Sequence, residues 1–215
     1  MLRVGLTGSI GVGKSFVAGV LAELGCHMLD ADVTAREVVA PKSKALEQVV
    51  AEFGAGVLQS DGALDRTELG NLVFNDPERR AKLNSILHPH IIARQDEVLR
   101  AWESIDPGGI AVIDAALMIE SGGYKRFDKL IVVHCRPDIQ IQRLMSRNNL
   151  SRDEAEKRIS AQMSQDEKKK FADYLIDTSE SFDDTRRQTE KVYAALRQDL
   201  NLDREQGTRG SESSL

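Results

Sequence analysis

Gly8-Ser9-Ile10-Gly11-Val12-Gly13-Lys14-Ser15 carries the clearest chemistry in this chain. A glycine, four residues, then Gly-Lys-Ser is the order needed to wrap a phosphate chain. Gly8, Gly11 and Gly13 let successive backbone N–H groups, Val12's among them, turn toward phosphate oxygens. The helix that follows adds its unpaired N-terminal N–H groups and the positive end of its dipole. Lys14 reaches the β- and γ-phosphates, and the Ser15 hydroxyl suits Mg²⁺. Phe16 is the next helix residue, beside the nucleotide. The loop therefore implies a nucleoside triphosphate, ATP with Mg²⁺. It names a phosphoryl donor and leaves the acceptor open.

Carboxylates supply the next candidates. Asp30-Ala31-Asp32 closes a short apolar segment, His27–Asp30, that reads as the second strand. In a parallel sheet the carboxyl ends of neighbouring strands face one crevice. A carboxylate at Asp32 can orient a hydroxyl and take its proton. It can equally cap a helix starting at Val33, and position alone does not separate the two. Asp114 ends the third strand, Ile110–Ile113. It suits a water-mediated Mg²⁺ contact or is simply a polar strand end. Arg143 and Arg147 stand four apart on one face of a helix that begins near Pro137. Both can place positive charge on a phosphoryl group from the far side.

The elements that position these residues alternate at first. Leu2–Leu6 reads as a buried strand, and Val17, Val20, Leu21 and Leu24 recur at helical spacing up to Gly25. A helix over Val33–Val39 stops before Pro41. From Lys42 to Asp106 the pattern is helical without a buried strand, with Leu46, Val49, Val50 and Phe53 on one face. Asp65 or Thr67 caps a further helix, another starts at Pro77, and a longer one runs from about Pro89 to Trp102. Strands return at Ile110–Ile113 and Leu130–Val133. Asn148-Asn149-Leu150 breaks the Pro137 helix. Ser151 and Glu154 have capping-box spacing for a helix through about Met163. Gln165–Lys170 reads as charged and mobile, Tyr174–Asp177 as a last strand, and Asp183–Leu200 as a final helix. The expected fold is α/β, with a parallel five-stranded sheet in a three-layer P-loop arrangement like that of nucleoside-monophosphate kinases. The core comprises 1–41, 109–145 and 171–200. A helical insertion spans 42–108, a helical lid 146–170, and a disordered tail 201–215.

Bulk properties remove other classes. The net charge of −5 argues against a nucleic-acid partner, which favours a basic surplus. Cys26 and Cys135 each lie in an apolar run and read as buried thiols, not as a disulfide framework or zinc site. No signal-peptide pattern or membrane-length apolar run is present, so the cytoplasm is the expected compartment. No obligate protein partner is indicated. The guanine-reading Asn-Lys-x-Asp motif and the transporter-type ATPase signature are missing. Asp106-Pro107-Gly108-Gly109 precedes its strand and reads as a turn.

Gly5 to Ser15, followed by Asp30-Ala31-Asp32-Val33-x-Ala35-Arg36, resembles the dephospho-coenzyme A kinases. Leu87-His88-Pro89-x-Ile91 is similar to that family's His-Pro motif. Arg143-Leu144-x-x-Arg147, Leu150-Ser151, Glu154-Ala155, Arg158-Ile159 and Ala161-Gln162-Met163 resemble its lid. Ala172-Asp173-Tyr174-x-Ile176-Asp177 resembles its final strand. Three segments depart from the family. Ser9 stands where glycine is usual, Ala116-Leu117-Met118-Ile119-Glu120 replaces Pro-Leu-Leu-Phe-Glu, and Thr178-Ser179-Glu180 replaces Asn-x-Gly. The resemblance implies ATP-dependent phosphorylation of the ribose 3′-hydroxyl of dephospho-CoA. It implies Asp32 as the group that deprotonates this hydroxyl, with Lys14 and Arg143 also catalytic. It puts His88, Pro89 and Glu120 at the acceptor, Arg143 and Arg147 at ATP, and Ser15 at Mg²⁺; Asp114 is a candidate at Mg²⁺ from its place at the end of the third strand, since the family does not always carry an acid there. Another small-molecule P-loop kinase, with a nucleoside monophosphate or sugar acid as acceptor, is the first competing expectation. A nucleotide-binding module without catalysis is the second.

Overall fold

The computed structural model describes residues 1–74 and 76–212, with side chains to Leu202. In chain order the elements are β1 (Leu2–Thr7), α1 (Lys14–Glu23), β2 (His27–Asp30), α2 (Ala31–Glu37), α3 (Lys44–Phe53), α4 (Arg66–Phe74) and α5 (Pro77–Ile105). Then follow β3 (Ile110–Asp114), β4 (Lys129–His134), α6 (Pro137–Asn148), α7 (Arg152–Ser160), α8 (Gln165–Lys169), β5 (Tyr174–Asp177) and α9 (Phe182–Glu212). Contacts divide the chain into two compact units, Met1–Met28 with Trp102–Leu215, and Leu29–Ala101. Among the described residues no helix is long and apolar enough to cross a membrane.

The five strands form one sheet in the order β2-β3-β1-β4-β5. β1 runs parallel to β3 and to β4, with Leu6 opposite Asp114 on one side and Ile131 on the other. Strands paired on both edges and covered on both faces must be apolar throughout, which is why β1, β3 and β4 lack alternation. Val4 and Leu6 are buried with Val112, Ile131, Val133 and Ile176 against Val17 and Leu21 of α1 and Leu196 of α9. From β1 the chain crosses to one side of the sheet and later returns to the other. The carboxyl end of β1 is therefore a topological switch point, where open α/β sheets bind ligands.

The second unit has its own core of Val39, Leu46, Val49, Val57 and Leu69, with Leu83, Ile86 and Leu87 packed on it. Its helices start at side-chain caps. Ser43 accepts from Leu46 N–H in α3. Asp65, not Thr67, accepts from Thr67 and Glu68 N–H in α4. Asp76 does the same for α5, with Pro77 next to it. Such caps satisfy donors that the helix itself leaves orphaned.

Four expectations change. Pro89 does not begin a helix but lies inside α5, which is continuous from Pro77. A proline there loses one helical hydrogen bond and costs ~3 kcal/mol. Packing on both sides of it, by Leu83, Ile86 and Leu87 before and by buried Gln95 and Leu99 after, holds the helix together. The helical unit begins at Leu29 rather than Lys42, so α2 belongs to it. Gln165–Lys170 is ordered as α8, whose Ser164–Glu167 capping box and buried Lys168 anchor it. The final helix continues to Glu212 through most of the segment expected to be a tail, where Arg204, Glu205 and Gln206 carry good helix propensity past Leu202. Residues 213–215 lie outside the described residues.

Candidate active site

The loop from Gly8 to Gly13 leaves the carboxyl end of β1 and enters α1. Gly13 is the N-cap residue in a left-handed conformation (φ 84°), and no side chain caps the helix. An uncapped N-terminus presents its N–H groups to an anion. Gly8 is required by crowding. A Cβ there would lie 2.6 Å from the Val133 carbonyl oxygen, closer than real contacts allow.

Lys14 forms an ion pair with Asp114, the last residue of β3, and both side chains are largely buried. The pairing of Leu6 with Asp114 brings this carboxylate to the base of the loop. Ser15 is exposed on the first helical turn. A carboxylate and a hydroxyl are the hard oxygen donors that Mg²⁺ prefers.

Thr178, just past β5, is buried and links the loop to α6. Its hydroxyl donates to the Val12 carbonyl at 2.6 Å and accepts from Arg143 Nη1 at 2.9 Å. Arg143 Nη2 also donates to the Thr178 carbonyl at 2.7 Å. Arg143 is thus held with its guanidinium near Gly13. Arg147 is exposed, and its Nε donates to Asn148 at 3.1 Å. The same burial pushes the Cys135 thiol above its ordinary pKa, with Arg143 opposing.

Arg143, Arg147, Gly13, Phe16, Thr178 and Phe182 line an open cavity of about 910 Å³. Phe16 packs on Phe182 with ring centroids 4.8 Å apart. An apolar cavity joined to a phosphate loop, with a few convergent polar groups, is built for a nucleotide base and sugar. Phe16 therefore has a larger share of the site than its place in the sequence suggested.

Glu120 was expected at the acceptor. In the structure its carboxylate pairs with Lys168 Nζ at 2.9 Å and accepts from the Met163 N–H at 3.2 Å. Lys168 is fully buried and also donates to the Ala116 carbonyl at 2.7 Å. Glu120 is thus a structural tie for the segment between α7 and α8. Sequence reasoning missed Lys168, because a lysine in a charged run signals solvent.

The remaining expected residues belong to the Leu29–Ala101 unit. Asp32 is exposed on the first turn of α2. Asp30, not Asp32, is the N-cap: its Oδ1 accepts from Asp32 N–H at 2.7 Å and Val33 N–H at 3.2 Å. His88 and Pro89 are exposed on α5, and His90 is engaged with Gln48 at 3.0 Å, which sets it apart from His88 as a ligand pair. Sequence reasoning also missed Phe182, and it marked Thr178 only as a departure from the family's Asn-x-Gly. The bonds of Thr178 to Val12 and Arg143 could have been found only by asking what a buried hydroxyl beside the loop would bond.

The dephospho-CoA kinase family model matches residues 2–184. A dephospho-CoA kinase of Geobacillus kaustophilus is 44% identical over 189 residues, covering 87% of this chain and 92% of that one. The crystal structure of a Thermus thermophilus protein superimposes with a TM-score of 0.77 at 31% identity, over 91% of this chain and 97% of the other. A dephospho-CoA kinase from Campylobacter jejuni gives 0.61 at 27% identity, over 90% and 96%.

Proposed function

The chain belongs to the dephospho-CoA kinase family, and from that premise we propose that it transfers the γ-phosphoryl group of ATP to the ribose 3′-hydroxyl of dephospho-CoA. Coenzyme A and ADP are the products. The observation that carries the reading is the family match over residues 2–184, which runs through the phosphate loop and the carboxylate pair Asp30 and Asp32.

Lys14 and the N–H groups at the start of α1 hold the phosphates and offset charge on the transferring group. Arg143, fixed by Thr178, does the same from α6, with Arg147 beside it. Ser15 and Asp114 would hold Mg²⁺, which supplies positive charge to the phosphate oxygens when bound. Phe16 and Phe182 provide an apolar wall for the adenosine portion. Asp32 orients the acceptor hydroxyl and takes its proton. A bond forms between the 3′-oxygen and the γ-phosphorus, the bond from that phosphorus to the β–γ bridging oxygen breaks, and its electron pair leaves with ADP. His88 and Pro89 contribute to the acceptor side. Glu120 acts through Lys168 by positioning the chain near Met163.

ADP release, followed with dephospho-CoA, nucleoside monophosphates and sugar acids offered separately, tests the proposal. Dephospho-CoA alone is expected to drive turnover. Equal or faster turnover with one of the other acceptors would overturn it. Lys14→Ala should lose ATP affinity, and unchanged affinity would remove the phosphate loop from the reading.

A further inference from the structure

Both polar backbone atoms of Ile10 are held by glutamine side chains from different elements. The Ile10 N–H donates to Gln162 Oε1 at 2.8 Å. The Ile10 carbonyl accepts from Gln140 Nε2 at 2.7 Å. Gln140 lies on α6 and is 2% exposed. Gln162 follows α7. Gln140 Oε1 in turn accepts from Gln165 Nε2 at 2.7 Å, and Gln165 Oε1 accepts from the Cys135 N–H at 2.9 Å.

Amide side chains can be turned either way, but this chain has one consistent orientation. A backbone N–H must meet an oxygen and a backbone carbonyl must meet an N–H. The Cys135 N–H at one end and the Ile10 carbonyl at the other therefore set Gln165 and Gln140. The Ile10 N–H sets Gln162 by itself.

From this arrangement we propose that Gln140 and Gln162 are positioning residues for the phosphate loop, clamping the backbone N–H and C=O of Ile10 so that the loop keeps its phosphate-binding shape. The loop needs such support. Gly11 and Gly13 both have positive φ, so the segment gains no rigidity from side-chain sterics. Ile10 precedes Gly11 directly, and fixing its N–H and its C=O, which lie on the two peptide planes flanking its Cα, restrains the φ and ψ of Ile10 at the entry to the glycine turn. Gln162 has a further consequence. The adjoining Met163 is itself tied, its N–H to Glu120 and its carbonyl to the Ser9 hydroxyl at 3.4 Å. The α7–α8 connection thus reaches the loop through two polar contacts, at Ile10 and Ser9, and its position is transmitted to the residues that hold ATP.

The two glutamines have different requirements, which makes the proposal testable. Gln162 is used only as an acceptor toward Ile10. Gln162→Glu keeps that acceptor, whereas Gln162→Ala removes it. Gln140 must donate to Ile10 and accept from Gln165. Gln140→Glu presents a carboxylate to a carbonyl and fails at the first of these. The proposal rests on the phosphate-loop reading, so steady-state kinetics with ATP and dephospho-CoA varied separately is the measurement, with thermal unfolding beside it. For Gln162→Ala the KM for ATP should rise about 5- to 10-fold, the size of one net hydrogen bond, with a smaller fall in kcat and no change in the KM for dephospho-CoA. Gln162→Glu should stay within about twofold of the parent, and Gln140→Glu should be at least as impaired as Gln162→Ala. The clamp is refuted if Gln162→Ala leaves the KM for ATP unaltered, or if Gln162→Glu is as defective as Gln162→Ala. If Gln140→Glu unfolds, the Gln162 pair decides the matter alone. Failure of the underlying reading would look different: the parent protein itself would show no ATP-dependent turnover.

Discussion

The Asp30 carboxylate accepts hydrogen bonds from the backbone N–H groups of Asp32 and Val33, so it is Asp30 that caps α2 while the Asp32 side chain is left exposed on the first turn. One acid does the structural work and its neighbour is released for another role. The two should therefore separate in experiment. Asp30→Ala should lower stability by about 1 kcal/mol through loss of the cap. Asp32→Asn should leave the unfolding midpoint within experimental error and reduce kcat by about 10²-fold or more, with ATP binding retained. Urea unfolding and turnover, measured on both variants, check the split. Near-normal turnover in Asp32→Asn would exclude it as the base.

Thr178 joins Val12 to Arg143 through a single hydroxyl. Thr178→Val has nearly the same shape and lacks both bonds. We expect the KM for ATP to increase about fivefold, since one loop contact and one arginine constraint are lost together. Thr178→Ser keeps the hydroxyl and should remain close to the parent. Kinetics on the pair distinguishes the hydrogen bonds from packing.

Glu120 and Lys168 form an ion pair in which the lysine is fully buried and the glutamate side chain is 24% exposed. Removing either partner strands the other. The cost is larger when the stranded charge is the buried one. Glu120→Ala should destabilise by about 3 kcal/mol. Lys168→Met should cost less, because Glu120 can turn toward water. Chemical denaturation of both variants gives the order, and the reverse order would contradict the burial argument.

Burial raises the Cys26 thiol to about 12, with Arg197 opposing weakly, and Cys135 is also raised. Both are free and buried. A thiol reagent at about pH 8 should label neither until the protein unfolds, because the thiolate is the reactive form. The sign of the stability effect follows from the same shift. Above the unfolded thiol's ordinary value of about 8.5 the unfolded chain loses protons that the folded chain keeps, so this contribution is intact below that pH and declines above it. Unfolding midpoints between about pH 8 and 10 should fall less steeply in Cys26→Ala than in the parent, once the lost packing is allowed for.

Much of this protein was legible in order and spacing. The phosphate loop is local: a glycine pattern, a lysine and a serine are consecutive, and their backbone geometry follows from residue type. The short apolar strands and the Ser151–Glu154 capping box are local as well, and each appears where expected. Other features depend on groups brought together from distant parts of the chain. Asp30 and Asp32 are equivalent by residue type, and only the observed helix start tells which carboxylate caps. Lys168 reads as a surface charge until Glu120 and Ala116 are seen around it. Pro89 reads as a helix start until packing on both sides outweighs the lost hydrogen bond. The bonds that Thr178, Gln140 and Gln162 make give no sign in the sequence, because a hydrogen bond between residues far apart in sequence leaves no periodicity. What residue order determined was the donor loop, the succession of elements and the family. The tertiary structure decided how that loop is held, since its support comes from side chains whose partners are distant backbone atoms.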